Sequence, residues 1–224
     1  MTLDIHLGAG AHLVFNTPIL ILDKSAQAVE LNQNLREAIL EKEQASKGRT
    51  ISNVGGWQSA ADVLEWPLTE IAVLKGWVKE AVEQMCSLPQ PEPVETDFEA
   101  YAWANVNRNG DYNSAHNHDV AHWAVVYYVS RGEPLAGRLN GRLEIRDPRL
   151  SASADKYPGF TFGQGLILDS TPGCLLIFPA WLEHLVHPFY GKGERISISA
   201  NVTMKHVATK APAVHFSHLA TLSQ

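Results

Sequence analysis

"RISISANVTM", residues 195–204, alternates apolar and polar side chains with a period of two, as a strand with one face in a core would. Working outward from it, the second half of the chain breaks into similar short runs. These are "FEAYAWANVN" (98–107), "HWAVVYYVS" (122–130), "GRLEI" (141–145), "GLILD" (165–169) and "CLLIFP" (174–179), separated by Gly and Pro clusters. Many short strands bounded by turns predict a sandwich, barrel or jelly roll. The first half has a different texture. "LNQNLREAILEKEQAS" (31–46) sets Leu31, Leu35 and Ile39 at steps of four, as an amphipathic helix does. "LTEIAVLKGWVKEAVEQM" (68–85) puts Ile71, Leu74, Val78 and Val82 on one face, with Pro67 just ahead as a helix start. "TISNVGGWQSA" (50–60) reads as a loop rich in small residues, and "SLPQPEPVETD" (87–97) as a proline-broken connector. The expected fold class is mainly β with flanking helices. It is read as a single domain over 1–224, a helical part of about 1–90 packing on a β-barrel core of about 97–205.

Composition narrows the partners. The 224 residues are 45% hydrophobic and 19% charged, enough to bury a globular core. A net charge of −6, mixed along the chain without a basic block, argues against nucleic acid or an anionic membrane as partner. Cys86 and Cys174 lie far apart and make no ligand-spaced pair; without a disulfide framework the chain suits a reducing compartment. The opening "MTLDIHLGAGAHLVFNTPILIL" has no basic region before its apolar stretch and contains Asn16 and Pro18. It reads as neither a signal peptide nor a membrane span, so a soluble cytoplasmic protein is expected.

"NSAHNHDVAHW", residues 113–123, places His116, His118 and His122 just ahead of the run "WAVVYYV". On extended chain, residues two apart share a face, so the imidazoles of His116 and His118 point the same way and Asp119 points the other. Two imidazoles are half of a metal site. A third ligand is available in "FPAWLEHLVHPF" (178–189), where His184 and His187 follow an apolar strand. His122, beside Trp123, is read as packing or facing solvent. His6, His12, His206, His215 and His218 carry no pattern. Eleven residues after His184, Arg195 opens the alternating strand, with Ser197 on the same face. A guanidinium fork beside a hydroxyl suits a carboxylate.

Together these motifs resemble the 2-oxoglutarate and iron(II)-dependent oxygenases of the bacterial and phage type, which carry N-x-x-H-x-H before a "VYYV" strand. Here that is Asn113, His116 and His118 before "VVYYV". "SNVGGWQS" (52–59), "DPR" (147–149), "GCLLIFPAWLEHLV" (173–186) and "RISISANV" (195–202) agree in order, so the resemblance runs from about Thr50 to Asn201. It implies a double-stranded β-helix, a jelly-roll or cupin-like barrel, with iron(II) at one end and 2-oxoglutarate as co-substrate. By the family pattern His116 and His184 are iron ligands, and Arg195 with Ser197 holds the tail carboxylate of 2-oxoglutarate. By the same pattern Asn113 and one of Tyr127 and Tyr128, with Tyr128 preferred, belong to the co-substrate pocket. The resemblance further implies a hydroxylase using dioxygen on an unidentified small-molecule or peptide substrate; the oligomeric state is left open, with a homodimer as one candidate.

One position departs from the wider superfamily, which uses His-x-Asp and a later His as a facial triad. His118 stands where the Asp belongs, with Asp119 one step on. Period-two spacing favours His118 and a three-His site. Trp103, Trp123 and Trp181 are candidates for pocket or core, and "DPRLSASADKYPGFTFGQG" (147–165) is a candidate lid. The rival reading is a cupin-type three-His dioxygenase or lyase that does not use 2-oxoglutarate, which leaves Arg195 and Ser197 without a role. A non-catalytic jelly-roll binding module ranks third.

Overall fold

The computed structural model describes residues 15–88, 94–136, 139–149, 163, 165–169 and 171–208. The elements, in chain order, are β1 (Leu20–Asp23), α1 (Val29–Ala45), β2 (Asn53–Val54), β3 (Trp57–Gln58), α2 (Thr69–Ser87), β4 (Glu95–Asn107), β5 (Tyr112–His116), β6 (Trp123–Pro134), β7 (Leu143–Ile145), β8 (Leu166–Leu168), β9 (Cys174–Pro179), β10 (His184–Val186) and β11 (Gly191–Ala208). They form two antiparallel sheets, one in the order β1-β9-β6-β11-β4-β3 and the other β2-β5-β10-β7-β8. This is the double-stranded β-helix, with helices on one side.

Alternation along each long strand decides what faces what. In β6, Val125, Tyr127 and Val129 join the cluster that holds α1 and α2. Their neighbours Ala124, Val126 and Tyr128 join a second cluster between the sheets. β9 divides the same way, Leu175 and Ile177 toward the helices, Leu176 and Phe178 inward. The helices supply Leu31, Leu35 and Ile39 from α1, and Ile71, Leu74, Val78 and Val82 from α2, to the outer layer. Each such aliphatic side chain contributes roughly 1.5–3 kcal/mol when fully buried.

Strands β4 and β11 differ from β6 and β9. Their helix-side residues are apolar: Ala102, Ala104 and Val106, and Ile196, Ile198, Ala200 and Val202. The opposite faces carry Asn105 and Asn107, and Arg195, Ser197 and Asn201, all buried. Half of the barrel interior is therefore polar. Burying so many polar groups is costly unless they bind something, so this half positions the site.

The strand expectation for 174–179 coincides with β9, and the two helices begin and end within about two residues of the expected spans. The 50–60 segment differs from its loop reading. It contains β2, paired with β5, and β3, paired with β4. Likewise the N-terminal part is not purely helical, because β1 pairs with β9 at the edge of the larger sheet. The readings of residues 1–14 and most of the 147–165 segment (150–162 and 164) lie outside the described residues. Among the described residues no helix is long and apolar enough to cross a membrane.

Candidate metal centre

His116 ends β5 and His184 begins β10, and the two face each other across the ladder between these strands. His118 lies two residues past the end of β5. Its backbone N–H donates to Ala180 O at 2.9 Å, and its own carbonyl accepts from Ala121 in the turn that follows. That anchoring turns the His118 ring back over the barrel. One ligand-capable nitrogen from each of His116, His118 and His184 lies within 4.8 Å of the others. The His116 and His184 ring centroids are 4.4 Å apart, and each is 5.1 Å from that of His118.

Two of the rings are fixed in orientation by their backbone. His116 Nδ1 donates to Ser114 O at 2.7 Å and His184 Nδ1 to Leu182 O at 2.8 Å. With Nδ1–H committed, the lone pair is on Nε2, which a metal can take. Phe178 packs its ring edge-on against His184, with centroids 4.9 Å apart. Burial first, and then the neighbouring His116, brings the His184 pKa down to about 3 and that of His118 to about 4. Burial also lowers His116, opposed by its bond to Ser114. The rings are thus neutral at physiological pH, the form that ligates. Three converging neutral imidazoles suit a borderline divalent ion of the iron class. The donor set fits the group.

The remaining candidates fall on both sides of this cluster. Asp119 is exposed in the turn and outside the cluster. His122 is exposed, and its Nδ1 accepts the Met204 N–H at 3.1 Å. His187 pairs with Glu144 through Nε2 at 2.8 Å. Trp103 lines the cavity, with its ring 5.7 Å from that of His118. Trp123 packs against the helix-side core, and Trp181 is 52% exposed.

Below the histidines the cavity reaches Arg195, which is 1% exposed. Its Nε donates to Gly141 O at 2.7 Å and one terminal nitrogen to Ser197 Oγ at 3.3 Å. Gly141 has φ +61°, and a Cβ there would lie 2.7 Å from Arg195 Cδ, so glycine is what lets the loop approach the guanidinium. No carboxylate pairs with Arg195 among the described residues. Burial lowers its pKa, but nothing here neutralises a guanidinium. Tyr128 packs against it, ring centroid 5.6 Å from Cζ, with a buried hydroxyl that has no partner among the described residues. Tyr127 points the other way, donating to Asn32 Oδ1 at 2.7 Å on the helix side. Asn113 lines the cavity and donates to Ser52 Oγ at 3.3 Å. A desolvated cation beside an orphaned hydroxyl has the chemistry that suits an anionic group.

Comparison with known proteins places this arrangement. Residues 101–201 match a family model described as "Putative 2OG-Fe(II) oxygenase". Over that stretch the chain matches a 2OG-Fe(II) oxygenase domain. This family of oxidoreductases uses iron(II) and 2-oxoglutarate. Among solved structures, a Pseudomonas putida prolyl-4-hydroxylase is similar with TM-score 0.60 and 14% identity, over 84% of this chain and 93% of that one. HygX from Streptomyces hygroscopicus, with nickel and 2-oxoglutarate bound, gives TM-score 0.57 and 10% identity over 84% of each chain. A prolyl hydroxylase from Trichoplax adhaerens, in complex with a hypoxia inducible factor peptide fragment, gives 0.54 and 13% over 83% of each. At these identities the likeness is one of fold. No curated protein matches the sequence.

Sequence reasoning passed over several lining residues of this oxygenase domain, among them Ser52, Asn105 and Ser199. For Asn105 a signal existed. In "YAWANVN" the residues Tyr101, Trp103, Asn105 and Asn107 alternate with small apolar ones, so a polar inward face was readable. Ser52, on a stretch without periodicity, left no such signal.

Proposed function

We propose that the chain is a hydroxylase in which Nε2 of His116 and His184, with the His118 ring, holds iron(II). Arg195 and Ser197, with Tyr128 and Asn113 nearby, hold the far carboxylate of 2-oxoglutarate. The observation that carries the reading is the buried guanidinium, without a counter-charge among the described residues, at the foot of the cavity whose middle is lined by the three histidines. Ser199 stands level with Trp103 and Arg195 is four residues further along β11, on the order of 13 Å of strand. That length accommodates a five-carbon dicarboxylate extended along the wall. Iron(II) with 2-oxoglutarate bound supplies the oxidising power to place an oxygen atom from dioxygen on a C–H bond, with succinate and carbon dioxide as co-products. The protein orients both ends of the co-substrate and excludes water from between them.

The rest of the reading concerns context. The substrate is a small molecule or a peptide; the prolyl hydroxylase neighbours favour a peptide. The chain is taken as one domain, cytoplasmic, and able to form a homodimer. The test is co-product release. Protein reconstituted with iron(II), given 2-oxoglutarate and dioxygen, should form succinate slowly even without primary substrate, and His184→Ala should not. Equal succinate from His184→Ala and wild type, or none from wild type, would overturn the reading.

A further inference from the structure

The inner faces of β4 and β11 form an axis from surface to floor. The register pairs Tyr101 with Asn201, Trp103 with Ser199, Asn105 with Ser197, and Asn107 with Arg195. Along β4, Tyr101 is 42% exposed, Trp103 half-buried, and Asn105 and Asn107 buried. The Tyr101 end is therefore the mouth and the Arg195 end the floor. His118 sits at the Trp103 level, its ring 5.7 Å from the indole. If the co-substrate extends from that level downward, what enters from outside meets Tyr101, Asn201, Trp103 and Ser199.

Two properties of this upper wall limit its guest. First, Arg195 is the sole Asp, Glu, Lys or Arg among the described residues lining the cavity, and it lies at the floor. Outside the lining, Glu183 pairs with Arg146 and Glu99 with Lys205, and Asp119 is exposed. A charged group entering the barrel would lose its hydration and meet no counter-charge among the described residues near the reacting end. Second, Asn201 is 4% exposed and only one end of its amide is paired. Nδ2 donates to Tyr101 Oη at 2.8 Å, while Oδ1 has no partner among the described residues. Rotating the amide by half a turn exchanges which end is orphaned, since the tyrosine hydroxyl can donate or accept. An orphaned amide behind an aromatic pair whose centroids are 6.0 Å apart invites a polar but uncharged group with an apolar side.

Resting on the oxygenase reading, we propose that the primary substrate enters as an uncharged group bearing an N–H or O–H donor beside an apolar face. Trp103 covers the apolar face and Asn201 takes the polar one. Free amino acids and other zwitterions are thereby refused, and a capped unit, such as an internal peptide residue or a neutral small molecule, is accepted.

The test uses full-length protein loaded with zinc(II), which is redox-silent, and 2-oxoglutarate, read by saturation-transfer NMR on the probes. The probes are N-acetyl-leucine N-methylamide, free leucine, leucine amide (cation only), N-acetyl-leucine (anion only) and phenyl glucoside. The proposal expects a neutral probe to bind at millimolar concentration, at least roughly tenfold more tightly than any charged leucine derivative. Preference for the capped leucine points to a peptide source and for phenyl glucoside to a small molecule. Trp103→Leu should weaken the neutral probe, and Asn201→Asp should make leucine amide a ligand. Charged probes that match or exceed the neutral ones, or no neutral probe binding at all, would overturn it. So would a neutral probe indifferent to both substitutions. Binding of 2-oxoglutarate, followed in the same samples, separates the two readings. Its loss in wild type sinks the oxygenase reading, whereas its retention without a neutral preference sinks this inference alone.

Discussion

Replacing Arg195 by methionine separates a ligand-binding role from a structural one, because the two predict opposite pairs of effects. The side chain is 1% exposed, donates to Gly141 O and Ser197 Oγ, and faces no carboxylate among the described residues. In the ligand-free protein its charge is therefore a burden. Methionine fills similar volume and removes the desolvation penalty, a change often neutral or stabilising for buried charges. Against that gain stands the Gly141 carbonyl left without its donor, about 1–3 kcal/mol. The ligand-free protein should thus lose no more than about 2 kcal/mol. Binding of 2-oxoglutarate should suffer far more. Losing one partner of a buried charge-assisted pair costs about 2–5 kcal/mol, roughly thirtyfold to five-thousandfold in affinity. Arg195→Lys should recover only part of this, since an ammonium lacks the planar fork. Anaerobic calorimetry of 2-oxoglutarate into metal-loaded protein, beside urea unfolding of the metal-free protein, gives both quantities. Unchanged affinity in Arg195→Met together with a stability loss above about 3 kcal/mol would refute the reasoning and make Arg195 a structural residue.

Further outcomes are expected elsewhere in the site. Metal content should fall to nothing in His184→Ala and sharply in His118→Ala, yet stay near wild type in Asp119→Ala and His122→Ala; elemental analysis of protein purified without a tag checks the ranking. Tyr128→Phe removes a buried hydroxyl that has no partner, so thermal unfolding of the metal-free protein should be unchanged or slightly raised while 2-oxoglutarate binds less tightly. A lowered Tm with unaltered affinity would mean that the hydroxyl is satisfied within the protein. The pH dependence follows from the depressed imidazoles. Unfolded, these rings protonate near pH 6.5; folded and metal-free, His118 resists to about pH 4 and His184 to about 3. As the unfolded chain binds more protons between these limits, the metal-free protein is fully stabilised above pH 6.5 and loses stability as pH falls through that window. Flat stability from pH 7 to 4 in urea titrations would contradict the burial of these rings.

How far the fold could be read beforehand depended on where each pairing lies in the chain. Long elements announced themselves: α1, α2 and β11 each carry enough turns or alternations for the period to show, and β9 stood out as an apolar run between turn signals. The short strands did not. β2 and β3 pair over two residues each, and β10 over three, too few for any period. β1 exists because Leu20–Asp23 lies against β9, more than a hundred residues away, a contact local pattern cannot supply. At the site, His116 and His184 were readable from motif and strand ends. His118 was reached through an assumption of continuous extended chain, whereas β5 ends at His116 and the bond to Ala180 O aims the ring. The polar inner face of β4 and β11 was present in the alternation of "YAWANVN" and "RISISANV", and in both strands the apolar side is the one under the helices.

One ligand pair served by the three histidines and Arg195 has a direct optical signature. Metal-free protein should be loaded anaerobically with one equivalent of iron(II) and titrated with 2-oxoglutarate, the visible spectrum being recorded at each step. A weak charge-transfer band should grow to saturation at one co-substrate per chain and be absent in His184→Ala. No band and no binding at millimolar 2-oxoglutarate in wild type, or an equal band in His184→Ala, would contradict it.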